Sequence, residues 1–280
     1  MLPISTPRAG GVMLALLSLL LAACLWAPGK FTSALDVRKD GRFAFSYTGE
    51  IHMLALSKMM NDMDAEAKKT FAPEPCHKED GIEERPCTAS EIASQKQTWQ
   101  EDRARAAEKR RKDAESMKAI LGGIDPSNPR AAEEIAARLR RQAGWKRVTY
   151  KGDGLFDVDF AIAGRLDHDF AFPTIERFPM ANAFVQITRR SDGTIRVDAP
   201  GFAPASSGEP FKSMMQGIAA KEGAPPFPQV DGQFAIITDG AVLANNTDEG
   251  PQADTTGQRL SWAVNLRTPA APTALIRVAP

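Results

Sequence analysis

One loop pattern, written four times, constrains this chain more than anything else in it. Lys39-Asp40-Gly41, Gly152-Asp153-Gly154, Ser191-Asp192-Gly193 and Thr238-Asp239-Gly240 each divide two runs of alternating apolar and polar residues. A glycine in third place suits the left-handed position of a three-residue hairpin loop. Parity supports that length at the first site. A three-residue loop pairs Val37 with Phe43 and Leu35 with Phe45, all on one face, whereas a two-residue turn splits the apolar set between faces. The same reasoning pairs Tyr150 with Phe156, Val148 with Val158 and Ile187 with Val197. The fourth loop joins 234–237 to 241–244, and 259–266 and 274–278 read as further strands. These spacings describe antiparallel pairing, not parallel strands with crossover helices.

Helical patterns stand between the first hairpin and the rest. Residues 56–69 carry Met59, Met60 and Met63 as an apolar stripe, read as core filling. Thr88-Ala-Ser-Glu91 matches a capping box, and a helix from it runs to Leu121. Its apolar stripe is thin (Ile92, Trp99, Ala106, Met117, Ile120), so most of its circumference faces water. Asn128 as N-cap, Pro129 at the first helical position and Gly144 past the end bracket a third helix, with Ile135 and Leu139 inward. The fold expected is α+β: a mostly antiparallel β-sheet built from hairpins, with a helical insertion over about 56–144 that includes one long charged helix.

The N-terminus supplies an address. An apolar run from Val12 to Leu21 follows a stretch whose only charged side chain is Arg8, and it ends in Leu21-Ala22-Ala23-Cys24. The run is too short to span a bilayer and closes on small residues, as a secretory signal does. The last four residues resemble a bacterial lipobox, in which Cys24 is acylated and becomes the mature N-terminus. An ordinary signal peptide with an incidental cysteine, or a retained apolar anchor, is the alternative. On the lipobox reading, residues 1–23 are a signal peptide and 24–280 form one domain. With Leu25 next to the cysteine, resemblance to known lipoproteins implies, in a Gram-negative cell, the outer membrane, facing the periplasm.

Composition narrows the partners. The 35 basic and 35 acidic residues give a formal net charge of zero, so no overall field attracts nucleic acid. No second apolar run approaches the length of a membrane span. Setting Cys24 aside leaves Cys76 and Cys87, and Asp80-Gly81 between them supplies turn chemistry that lets the two meet. A disulfide is expected in an oxidising compartment. A metal site with His77 needs four ligands, and only His52 and His168 remain as other histidines.

Catalytic motifs are sparse. Gly152-Asp153-Gly154 lacks the third glycine of a phosphate loop, and neither Gly-x-Ser-x-Gly nor His-Glu-x-x-His occurs. Asp167-His168-Asp169 is the nearest approach to an acid–base or metal cluster. Neighbours on an extended strand point to opposite faces, so it reads as a hydrated strand end. Asp157 and Asp159 share a face opposite Thr149 and Arg147, a cross-strand arrangement that needs no function. Lys109-Arg110-Arg111-Lys112 lies among interleaved acids, a solvated face by default, with a membrane or partner role as the alternative. The aromatic stretch 170–179 lines a pocket or fills a core. Asn245-Asn-Thr-Asp-Glu-Gly-Pro251 lacks EF-hand spacing and reads as a turn network.

Cys24, Pro28-Gly-Lys-Phe31, Asp40-Gly41, Phe43-x-Phe45-x-Tyr47 and Gly49-Glu50 resemble uncharacterised alphaproteobacterial lipoproteins, as do Asp231-Gly-x-Phe234, Thr238-Asp-Gly240, 243–251 and Trp262. More distantly, the order hairpin, helices, strands and a Gly/Asn turn before a Trp strand is similar to LppM-type envelope lipoprotein domains. Neither resemblance implies a catalytic set or a cofactor. The expected function is a non-enzymatic, membrane-anchored lipoprotein that binds an envelope lipid, glycan or protein partner. A structural adaptor docking through its long helix is the alternative, and a hydrolase with dispersed carboxylates stands third. An apolar pocket between sheet and helices favours binding, and a solid core with a protruding helix favours the adaptor.

Overall fold

The structure, a computed structural model, describes residues 26–53, 56, 66, 68–77, 83–126, 128, 130–174, 183–203 and 229–278. Residues 1–25, and with them Cys24, lie outside the described residues, as do Met59, Met60, Met63, Pro129 and 175–182. Among the described residues the order is β1 (Trp26–Val37), β2 (Arg42–Met53), β3 (Cys76–His77), β4 (Glu84–Arg85), α1 (Ala89–Ile120), α2 (Ala131–Arg140), β5 (Trp145–Gly152) and β6 (Leu155–Arg165). There follow β7 (Phe170–Phe172), β8 (Val185–Arg189), β9 (Thr194–Asp198), β10 (Asp231–Thr238), β11 (Ala241–Asn245), β12 (Gln252–Asp254), β13 (Gly257–Asn265) and β14 (Thr273–Arg277). The class is α+β, with helices inserted between strands.

Three hairpins place the expected residues opposite one another, although the second closes on a two-residue turn, Asp153-Gly154, with Gly152 still paired to Leu155 and a register shift after Tyr150. Val37 faces Phe43 and Leu35 faces Phe45; Tyr150 faces Phe156 and Val148 faces Val158; Ile187 faces Val197. Gly41 takes φ +79° and Gly193 +74°, the left-handed conformation that the loops require.

The fourth loop departs from expectation. Thr238-Asp239-Gly240 turns the chain, but β10 and β11 do not pair. The strands divide into a seven-stranded sheet, β12-β13-β10-β1-β2-β6-β5, and a five-stranded sheet, β11-β14-β9-β8-β7. Both edges of β10 are already taken by β1 and β13, so β11 crosses to β14. The crossing is tight: a Cβ at Gly240 would lie 2.7 Å from the Arg277 carbonyl oxygen. The β1–β10 pair is parallel, an exception within otherwise antiparallel sheets.

Alternate residues of β1 and β2 point inward. Leu35, Phe45, Tyr47 and Ile51 are at most 1 % exposed, and the face opposite is wet. A continuous run of rings fills the space between the sheets. It passes Trp145–Phe160 (5.3 Å), Phe160–Phe172 (4.7 Å), Phe172–Tyr47 (5.0 Å), Tyr47–Phe31 (5.3 Å), Phe31–Phe202 (4.3 Å), Phe202–Phe234 (5.4 Å) and Phe234–Trp262 (5.5 Å). Each such ring, fully buried, stabilises the fold by about 1.5–3 kcal/mol before entropy is counted. The described part of the aromatic stretch therefore fills core. Phe172 is fully buried and Phe170 packs 5.4 Å from Phe43.

The helix α2 buries Ala131, Ala132, Ile135, Ala136 and Leu139. It begins later than expected, with Arg130 and not Asn128 at the N-cap and no side chain capping the first turn; the Asn128 side chain accepts the Arg130 N–H at 2.9 Å, just ahead of the helix. Past its end Gly144 adopts φ +90°, and a Cβ there would lie 2.5 Å from the Phe160 ring.

Candidate functional site

Two exposed features stand out against the filled core: the long helix and a groove on the open face of the larger sheet. The helix is anchored at its start. Cys76 and Cys87 form a disulfide with S–S 2.05 Å, and Cys76 pairs with Arg85 across the two-stranded ribbon β3–β4. Thr88 and Glu91 close the capping box: the Thr88 N–H donates to Glu91 at 2.8 Å, and the Glu91 N–H to the Thr88 hydroxyl at 3.3 Å. The Glu91 carboxylate also receives two bonds from Arg85, at 2.5 and 2.9 Å. Those bonds, with the Thr88 donors, hold it down at a pKa of about 2.

Along α1 the half-buried positions Ile92, Gln95, Trp99, Arg103, Ala106 and Arg110, with buried Ala114, recur at helical spacing. This stripe is not only apolar. Gln95 brackets the Glu74 main chain at 3.0 and 3.2 Å. Trp99 meets Phe71 at 5.8 Å and lies under the Arg103 guanidinium at 4.8 Å. Arg103 and Arg110 flank Glu66 at 3.7 and 3.8 Å. The Glu66 carboxyl is lowered by its bond from Lys69 and by these two cations. Arg110 therefore does not belong to a purely solvated face. Arg111 does, pairing along the helix with Glu108 at 3.0 Å. The outward face alternates charge sign, with Arg105 paired to Asp102 at 2.5 Å and Lys112 near Glu108 at 3.7 Å.

The groove arises from a bulge. Between Pro28 and Phe31 the β1–β2 register slips. Gly49 takes φ +142°, and a Cβ there would lie 2.2 Å from the Lys30 carbonyl oxygen. The Lys30 N–H donates to Glu50 Oε2 at 2.9 Å. Gly29 leaves room for Glu50 and His52, whose atoms a Cβ would meet at 2.6 and 2.9 Å. Burial lowers the His52 pKa, against the nearby Glu50 charge, which raises it. Beside the bulge, Lys30, Thr32, Thr48, Asp231, Gln233 and Asn265 line an open groove of about 570 Å³. Its chemistry is that of hydrogen-bonding recognition: one cation, one carboxylate, two amides and two hydroxyls. Sequence reasoning missed it. Gly29, Gly49 and Gly232 inside strand patterns were the available signal, since such glycines mark bulges and close approaches.

The other sequence candidates separate. His168 Nδ1 lies 2.5 Å from Asp167, both well exposed, while Asp169 turns away to accept the Arg189 N–H at 2.9 Å. Arg147 stands opposite Asp159 in register but ion-pairs diagonally with Asp157 at 2.5 Å. The Asn245–Pro251 stretch is a turn network. Asn245 accepts the Thr247 N–H at 3.1 Å; Asn246 accepts the Trp262 indole N–H at 3.0 Å and the Thr273 N–H at 2.9 Å. Among the described residues no group of three or more His, Cys, Asp or Glu side chains is placed to hold a metal ion. No helix among them is long and apolar enough to cross a membrane.

No family model matches the chain, and no curated protein matches it. Among solved structures, the NMR structure of the folded domain of Mycobacterium tuberculosis LppM is similar. It aligns over 91 % of this chain and 92 % of its own, at 10 % identity and a TM-score of 0.31.

Proposed function

We propose that this is an envelope lipoprotein, acylated at Cys24, that works by presenting surfaces to a protein partner and not by catalysis. The observation that carries the surface reading is the continuous run of closely packed rings from Trp145 to Trp262. Those rings pack against one another in the space between the sheets, while α1 extends about 48 Å with one face in solvent. That combination favours the adaptor over a lipid-enclosing pocket. The anchoring part rests on the signal-like run ending at Leu21-Ala22-Ala23-Cys24. The outer membrane facing the periplasm is the location that goes with it.

A second reading rests on the groove. Its amides and hydroxyls suit a polar ligand such as a glycan better than an acyl chain. Photo-crosslinking residues placed in living cells at Arg105 or Lys112, and separately at Thr48 or Gln233, distinguish the two. Discrete protein adducts from the helix positions alone support the adaptor. Adducts from the groove positions alone favour the glycan-binding reading.

A further inference from the structure

We propose that the sheet end bearing Trp26, the β5–β6 loop and Leu266-Arg267 is the face that rests on the phospholipid bilayer, with the seven-stranded sheet standing away from it. The inference rests on acylation of Cys24 and adds the orientation that this tether imposes. Two Cα–Cα steps of 3.80 Å separate Cys24 from Trp26, so their Cα atoms lie within about 7.6 Å of each other. No linker intervenes, because Trp26 is already strand, paired with Met53 and 1 % exposed. Its strand is the fourth of seven, with three neighbours on each side, so the tether pulls on the middle of the sheet.

Register then identifies what else lies at that end. The Met53 N–H donates to the Gly154 carbonyl at 2.8 Å, and His52 faces Leu155, which brings the β5–β6 loop and exposed Lys151 level with Trp26. On the other flank Lys30 faces Asp231, and Asp231 faces Asn265, after which the chain emerges at Leu266 and Arg267. Leu266 is 62 % exposed, against 41 % for Leu243, the other large exposed hydrophobic among the described residues. Lys151 and Arg267 are exposed cations toward this end, suited to headgroup phosphates, while Asp153 tempers their charge; Lys30 and Asp231 stand further up the sheet, in the groove. The opposite end carries both signs of charge, with Lys39 N–H bonded to Asp239 at 2.7 Å, Arg38 to the Thr256 carbonyl at 2.7 Å, and Arg42 and Arg165 on Asp40 at 2.6 and 2.9 Å, so the tether and exposed Leu266, not charge, distinguish the two ends. At 3.3 Å per residue, the twelve residues of β1 put that end about 36 Å further out.

The test uses the full chain in sheared membranes from expressing cells, with single substitutions Lys151→Cys, Leu266→Cys, Thr256→Cys and Ala163→Cys, the last on the open sheet face. Reaction with a bulky, membrane-impermeant maleimide is compared before and after detergent solubilisation. Cys76 and Cys87 are paired and stay silent. Expected is several-fold slower labelling at positions 151 and 266 in membranes than in detergent, with unchanged rates at 256 and 163. Equal rates at 151 and 266, with Cys24 acylated by intact mass, overturn the orientation but leave the anchor. Protection at 163 overturns it too, because the sheet then lies flat. A Cys24 that is unacylated and reacts with the maleimide removes the anchor reading, and the orientation with it.

Discussion

The Tyr47 hydroxyl donates a 2.7 Å hydrogen bond to the main-chain carbonyl of Glu50, three residues further along β2. That bond ties the aromatic core to the bulge that shapes the groove, since Glu50 also receives the Lys30 N–H.

Tyr47→Phe should therefore cost about 1–2 kcal/mol in denaturant unfolding, the price of leaving a carbonyl short of a partner. Burial pushes the Tyr47 phenol well above its ordinary value. The sign follows. A raised acid contributes stability below the unfolded pKa of about 10 and loses it as pH rises beyond that. The chain has two tyrosines, so ultraviolet titration resolves them. The phenolate of Tyr150 appears first and that of Tyr47 only with unfolding.

Glu91 predicts acid behaviour at the start of α1. Its folded pKa of about 2 is far below the ordinary value, so its contribution is present above the unfolded pKa of about 4.3 and is lost as pH falls toward 2. Arg85→Ala removes the leading cause, and the Glu91 carboxyl should then titrate at higher pH by NMR. Thr88→Ala should cost about 1 kcal/mol through the lost cap.

Gly144 and Gly123 form a matched pair, with φ +90° and +91°. A Cβ at Gly123 meets nothing within 4 Å, whereas at Gly144 it strikes the Phe160 ring. Gly123→Ala should cost about 1 kcal/mol for backbone strain, and Gly144→Ala about 3 kcal/mol because overpacking adds to it. Equal thermal shifts would remove the Phe160 contact as a cause.

On α1, Arg111→Glu should change stability by less than about 0.5 kcal/mol. Arg110→Glu should cost more, about 1 kcal/mol, because it brings a carboxylate toward Glu66, which is only 16 % exposed. Urea unfolding of both variants gives the comparison directly.

Cys76 and Cys87 should resist alkylation until a reductant is added. The double Cys76→Ser, Cys87→Ser variant should lose about 3 kcal/mol, read by thermal unfolding.

Much of the sheet was legible because its signals are local. A period of two on each side of an Asp-Gly loop specifies both the strands and their register, as at Val37–Phe43 and Tyr150–Phe156. The capping box at Thr88 was legible for the same reason. The β1–β10 pair was not, because no turn connects Lys30 to Asp231 and parallel partners leave no short-range mark. The Glu66–Arg103–Arg110 contact escaped too, since a charge on a helix reads alike whether it faces water or another segment. The groove depends on glycines whose missing side chains matter only once the strands meet.

The place of β1 in the sheet has a consequence for the order of assembly. One edge of β1 zips to β2 through a three-residue loop, but the other waits for β10, roughly 200 residues later. Pairings of such separation slow folding, because chain entropy is lost long before the contact forms. During synthesis β1 therefore stays open along one side until most of the chain has been made. A chain truncated before Asp231 would keep that edge bare, the kind of edge that recruits other chains into aggregates.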